Sequence, residues 1–391
     1  MQTTETLPSF LNVTIERLLP GGVGLAHADG LTVLVSLAAP GDEVRVRIDR
    51  VQGKVAFASI HEIIKPSSVR VDPPCPYFGR CGGCDFQQLT YESQLQAKVD
   101  IIRDCFQRIA KIPGPVELKI HASPEWHYRA RALWQTDADK KWLGYYVRGS
   151  REVCDVEYCA VLVPELQETL ESLRSTIETS TSVRDIAAVA GDGSVSVDPP
   201  LARFEPREIS RTIAGERYQF SAQSFFQINH ELLPALINEA VGSAKGKVAI
   251  DLYCGVGLFT LPLARRFTQA IGVEANQRAT GFTRANLDSA QLKNAQVFTA
   301  DVGSWLRSGE VTSPPDFLLL DPPRTGAENK VIAGILSLKP ACIVYVSCDP
   351  ATLARDLKKL LAGGYSLDSV TAFDMFPQTH HVETVVRLLA A

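Results

Sequence analysis

Hydrophobic and polar positions alternate with a period of two through LNVTIERL, GVGLAHADGLTVLVS, DEVRVRIDRV and KVAFASIHEII, separated by Gly-Gly, Pro-Gly and Gln-Gly turns. This pattern predicts a small antiparallel β-barrel over residues 1–65. A helical stretch, YESQLQAKVDIIRDCFQRIAKI, lies beyond it. The C-terminal part changes texture: GKVAIDLYCGVGLF, AIGVEAN, AQVFTAD, DFLLLDPPR, ACIVYVSC and ETVVRLL are apolar runs that alternate with helix-like segments. That alternation predicts an α/β fold with a largely parallel doubly wound sheet over residues 216–391, with ligands at the carboxyl ends of its strands. Residues 66–215 are left as a central domain.

With 391 residues, 45% of them hydrophobic, the chain can bury more than one core. It has no apolar run of about 18 residues, and MQTTETLPSF lacks the basic and apolar regions of a signal peptide. A cytosolic protein with no membrane contact is expected. In a reducing cytosol, nine cysteines point to metal or catalysis rather than a disulfide framework. Cys75, Cys81 and Cys84 form a C-x5-C-x2-C set in which Gly82-Gly83 permits a tight turn around one metal. Cys159 is the expected fourth ligand, since Cys154 has a more strand-like context. Four thiolates suit zinc or an iron–sulfur cluster.

The net charge of −4 gives no global signature of nucleic-acid binding. Residues 1–65 carry six Lys or Arg against seven acids, whereas 119–151 carry seven against three, together with three of the four tryptophans. Basic residues interleaved with aromatics can grip phosphates and stack on unpaired bases.

Site chemistry gathers in the C-terminal domain. Gly255 and Gly257 follow a strand and open a helix, Glu274 closes the next strand where it can bond ribose hydroxyls, and Asp301 follows a third as an acceptor for an adenine amino group. Thr260 stands where a dinucleotide fingerprint has its third glycine, which favours S-adenosylmethionine. Asp321 in LLLDPPRTG projects from a strand end stiffened by two prolines, and Arg324 replaces the aromatic expected for amino-group methylation. Cys348, at the end of VYVSC, suits a thiolate that adds to C6 of uracil and makes C5 nucleophilic, with the following helix N-terminus and nearby cations helping to form it. A base must then remove the C5 proton: Glu383 is best placed, and His380 and His381 are alternatives. Cys342 reads as packing.

The segments FFQIN, DLYCGVG, LDPPRTG, VSCDPATLARDL and QTHHVE occur in the order and near the spacing of the RNA uracil-5-methyltransferase family, which the chain resembles along nearly its whole length. The N-terminal pattern resembles the OB-like TRAM domain, and the cysteine set resembles the 23S ribosomal RNA branch with its [4Fe–4S] cluster. The resemblance implies a Rossmann-like class I S-adenosylmethionine-dependent methyltransferase domain, a TRAM barrel and a small iron–sulfur α+β domain. It also implies that the helix near 92–111 packs on the catalytic domain. In roles, it implies Cys348 as nucleophile and Glu383 as base, with Gln227, Tyr253, Gly255, Glu274, Asp301 and Asp321 around cofactor and target base. HYRARALW resembles an RNA-contacting segment, which gives Tyr128, Arg129 and Arg131 as RNA ligands. Leu258 departs from the asparagine common in the family. The expected function is C5 methylation of a flipped uridine in 23S rRNA by a monomer. Transfer RNA is the alternative substrate, and a non-catalytic iron–sulfur RNA-binding protein is the alternative from another class.

Overall fold

Along Phe10–Thr14 every second residue faces inward, and the same alternation carries Leu11, Val13, Val33, Val35, Val44, Val46, Ala56 and Ala58 into one core. The computed structural model describes residues 9–114, 116–177, 183–201, 204–311 and 313–391. The N-terminal sheet has six strands in the order Phe10–Thr14, Glu43–Gln52, Val55–Lys65, Leu31–Ser36, Gly24–Ala28 and Arg17–Leu18. It is not wholly antiparallel, because Leu31–Ser36 pairs parallel with Val55–Lys65. The strand Glu43–Gln52 lies between them in sequence, so the chain reverses twice and returns in its original direction. Buried Asp42 closes this unit on Arg70, whose Nη2 approaches to 2.6 Å.

A second, five-stranded antiparallel sheet orders Val153–Asp155, Trp142–Tyr146, Arg131–Asp137, Asp185–Ala190 and Val195–Asp198. The helix Pro164–Ile177 packs its leucines against it.

The C-terminal sheet has eight strands in the order Ala295–Thr299, Phe267–Glu274, Gly246–Leu252, Phe317–Leu320, Cys342–Ser347, Glu383–Ala390, Tyr365–Phe373 and Lys119–His121. The first five are mutually parallel. Glu383–Ala390 runs antiparallel to both neighbours, since the loop 374–382 before it is too short for a crossover helix. Its first residues therefore lie at the edge where the parallel strands end. Helices cover both faces. The helix Tyr91–Cys105 continues into a π turn at Phe106–Ala110 and shares a core with the helix Pro350–Ala362. Together with the edge strand Lys119–His121, it gives the C-terminal layer residues from the segment 66–215, so that segment is not one structural unit.

Candidate active site

Ser347 pairs with Thr384 across the antiparallel ladder, so the next residues outward are Cys348 at a strand's end and Glu383 at its partner's start. Both line a cavity of about 760 Å³ over the carboxyl ends of the parallel strands. Tyr253, Gly255 and Glu274 form one part of its wall, and Gln227, Asp321, Arg324 and Phe376 another.

The turn after Gly246–Leu252 has three residues in the left-handed region, Tyr253 at φ 64°, Gly255 at 54° and Gly257 at 95°. A Cβ on Gly257 would lie 2.9 Å from Thr283, so close packing as well as conformation requires glycine there. Glu274 braces the turn, accepting from the Gly255 N–H at 3.2 Å and the Asn276 N–H at 2.7 Å. Asp301 does not line the cavity. It caps its own helix, its Oδ1 accepting from the Ser304 N–H at 2.9 Å and pairing with Lys330 at 3.1 Å.

Thr260 has a task the sequence did not disclose: its hydroxyl donates to Asp251 Oδ2 at 2.5 Å. Asp251 is buried, its Oδ1 has no partner, and burial pushes its pKa up to about 8. Leu258 is buried in the cavity wall, and its carbonyl accepts from Tyr218 Oη at 3.1 Å.

Asp321 accepts from Gln227 Nε2 at 3.3 Å, and burial raises its pKa. Glu383 is 2% exposed; burial and then the charge of Asp321 raise it, with Arg324 opposing. The Cys348 thiol is pushed up to about 12 by burial and the charges of Glu383 and Asp321. The sequence predicts help from a helix N-terminus and nearby cations in ionising it, and Arg324 acts in that direction. Asp349 caps the helix Pro350–Ala362, accepting from the Thr352 N–H at 2.8 Å, and carboxyl groups outnumber the one opposing cation, Arg324.

Neither alternative base lines the cavity. His380 Nδ1 is tied to Asp85 Oδ2 at 2.6 Å, and burial lowers His381 to about 3. Cys342, at the other end of its strand, receives Arg387 at 3.5 Å.

Of the expected RNA ligands, Tyr128 is buried, whereas Arg131 is half-buried and lines the large cavity together with Arg129. Tyr128 is 2% exposed and donates to the Pro377 carbonyl at 2.8 Å. Arg131 donates to the carbonyls of Ser224 at 2.8 Å and Ala222 at 3.0 Å. Arg129 lies between the large cavity and a small second one, and its Nε has no partner. The exposed hydrophobic residues of the large cavity's wall are Leu133 and Phe225, which the sequence marked only as parts of longer motifs.

Cys75, Cys81, Cys84 and Cys159 all line the second cavity, together with Gly83, Arg129 and Tyr145. Cys154 is buried in its strand outside it. Burial and the charges of the neighbouring thiols push Cys81 up to about 11, and burial pushes Cys84 up to about 12. Among the described residues, no three His, Cys, Asp or Glu side chains converge closely enough to hold an ion as they stand. The donor chemistry fits a thiolate metal site: four thiols around one cavity are groups that a bound cation would deprotonate and ligate.

The parallel sheet with one late antiparallel strand, the glycine turn braced by Glu274 and the cavity above them define a class I methyltransferase domain. Model matches agree, to tRNA (Uracil-5-)-methyltransferase over residues 209–302 and 314–391 and to the TRAM domain of tRNA (uracil(54)-C(5))-methyltransferase over 11–69. A 23S rRNA (uracil(1939)-C(5))-methyltransferase of Shewanella halifaxensis is 30% identical over 98% of this chain and 96% of its own length. Its Pseudomonas putida counterpart is 32% identical over 95% and 92%. The crystal structure of Pyrococcus abyssi tRNA (uracil-54, C5)-methyltransferase in complex with S-adenosyl-L-homocysteine superposes with a TM-score of 0.76 at 26% identity, covering 97% of this chain and 100% of that one. The chain belongs to the RNA uracil-C5-methyltransferase family. No described helix is long and apolar enough to cross a membrane.

Proposed function

We propose that this protein methylates C5 of a uridine in 23S rRNA, as a cytoplasmic monomer, through a covalent bond between Cys348 and C6 of the base. The observation that carries the reading is the single cavity shared by Cys348, Glu383, Asp321 and the Gly255 turn. Ribosomal RNA is favoured by the substrate named for relatives at 30% and 32% identity, against 26% for the tRNA enzyme, which also matches end to end.

S-adenosylmethionine, held at Tyr253, Gly255 and Glu274, supplies the methyl group. As the Cys348 sulfur adds to C6, its proton passes to a carboxylate of the same cavity, where Asp321 stands beside Glu383. Addition puts the ring's electron pair on C5, which takes the methyl group. Glu383 then removes the C5 proton, the C5–C6 double bond re-forms and the thiolate leaves. Gln227 orients Asp321 through their hydrogen bond. Cys75, Cys81, Cys84 and Cys159 would hold a [4Fe–4S] cluster; no methyl-transfer step needs an electron, so its role is structural.

Incubation with RNA containing 5-fluorouridine tests the chemistry, because fluorine cannot be removed as a proton and the adduct persists. No denaturant-resistant protein–RNA species would end this reading. Mapping 5-methyluridine in 23S and transfer RNA from cells with and without the gene tests the substrate: loss from transfer RNA alone would make it a tRNA enzyme.

A further inference from the structure

The loop 374–382 delivers Glu383 to the cavity, and side chains from outside its sheet hold it. The Gln378 N–H donates to Gln94 Oε1 at 2.9 Å, and Gln94 Nε2 donates back to Gln378 Oε1 at 2.9 Å. Lys98, on the same helix, donates to Asp374 at 2.5 Å and to the Phe376 carbonyl at 3.1 Å, with both charges of the ion pair fully buried.

The densest set of contacts comes from Asp85, the residue after Cys84. Its N–H and that of Phe86 both donate to the Gln378 carbonyl at 3.0 Å. Its Oδ1 accepts from the His380 N–H at 2.7 Å, and its Oδ2 meets His380 Nδ1 at 2.6 Å. Gln378 is held at φ 67°, a conformation that a residue with a Cβ keeps only where its surroundings over-determine it. On its other side the cysteine loop is anchored to the five-stranded sheet: the Gly82 N–H donates to the Tyr146 carbonyl at 2.9 Å, and the Arg148 guanidinium donates to the Cys84 carbonyl.

We infer that the loop carrying Cys75, Cys81 and Cys84 is a positioning element for Glu383, and that Asp85 is the residue coupling the two. The inference rests on the reading of Glu383 as the base. A base must come within hydrogen-bond reach of its proton, and a misplacement of about 1 Å costs on the order of 10²-fold. Asp85 ties three backbone or ring groups of residues 378–380 to the cysteine loop, so the order of that loop sets where the strand Glu383–Ala390 begins.

The test uses full-length Asp85→Asn, His380→Asn and Cys84→Ser. The last changes the small cavity but none of these hydrogen bonds. Amide hydrogen exchange across 376–382 should rise in Asp85→Asn and Cys84→Ser. With ordinary uridine RNA, turnover of Asp85→Asn should fall about tenfold to a hundredfold, with KM for S-adenosylmethionine unchanged and a methylated protein–RNA adduct accumulating, because only release has slowed. His380→Asn keeps every Asp85 backbone contact, so it carries the kinetic test if Asp85→Asn does not fold; it should accumulate the same adduct. Parental protection of 376–382 in both Asp85→Asn and Cys84→Ser, or parental release by His380→Asn, overturns the inference. Failure of the parent to trap 5-fluorouridine RNA overturns the function reading instead.

Discussion

Half-buried Asp321 and buried Glu383 share one cavity, where the charge of the first raises the pKa of the second beyond what burial does alone. A base works only as its carboxylate. The acid limb of product release, the step that Glu383 serves, should therefore lie above the ordinary glutamate value of about 4.3, and the elevated Cys348 thiol makes the attack step climb with pH. Initial rates from pH 5 to pH 9 check this. Glu383→Gln should lose the carboxylate limb, and a parental limb at the ordinary value would refute the coupling.

The same groups make the active site a stability liability at neutral pH. A carboxyl whose folded pKa is raised favours folding while protonated, a contribution complete below its unfolded value of about 4 and lost as pH rises through the folded value. Asp251, raised to about 8, and Glu383 both have this sign. Asp251→Asn should raise stability at pH 8 by on the order of 2 kcal/mol and Glu383→Gln should raise it in the same direction, with the gain vanishing near pH 4. Thermal unfolding at both pH values measures it.

What the sequence disclosed was local. The alternation that buries Val33, Val35, Val44 and Val46, and the strand ends carrying Gly255, Asp321 and Cys348, could be read because period and punctuation are properties of short segments. Contacts between distant segments were hidden. The Thr260–Asp251 bond explains a residue that had only marked a departure from a glycine pattern. Asp301 reads as an acceptor at a strand end, but its Oδ1 turns onto the N-terminus of the helix that follows. The carbonyl partners of Arg131 were hidden too, because charge counts are blind to burial.

Arg131 supplies a direct test of what those carbonyl contacts do. Its guanidinium is committed to the carbonyls of Ser224 and Ala222, so Arg131→Ala should destabilise the protein by about 1.5–3 kcal/mol, the worth of hydrogen bonds to a charged group. The slope of RNA affinity against salt should stay parental, because no phosphate contact is lost. Denaturant unfolding and binding at several salt concentrations check both halves; a slope flatter by about 1 would return Arg131 to the RNA interface.

For the cysteine cavity, the contrast between Cys159 and Cys154 is decisive. Cys159 lines it and Cys154 does not. Protein purified without oxygen should be brown and contain iron and inorganic sulfide. Cys159→Ser should lose much of both, and Cys154→Ser should keep them. Equimolar zinc without sulfide in the parent would replace the cluster with a structural zinc site.

The two proposed catalytic residues should stop the reaction at different points. Cys348→Ala removes the group that makes C5 nucleophilic, so neither methyl transfer nor an RNA adduct should form. S-adenosylmethionine should still bind, because Tyr253, Gly255 and Glu274 belong to other strands. Glu383→Gln keeps the shape and removes the base: attack and transfer proceed, while loss of the C5 proton slows by about 10²–10⁴-fold. That variant should accumulate a denaturant-resistant protein–RNA species carrying the transferred methyl, visible on a denaturing gel with labelled cofactor. Normal turnover by Glu383→Gln would move the base elsewhere and leave the nucleophile standing, whereas methylation by Cys348→Ala would remove the covalent mechanism altogether.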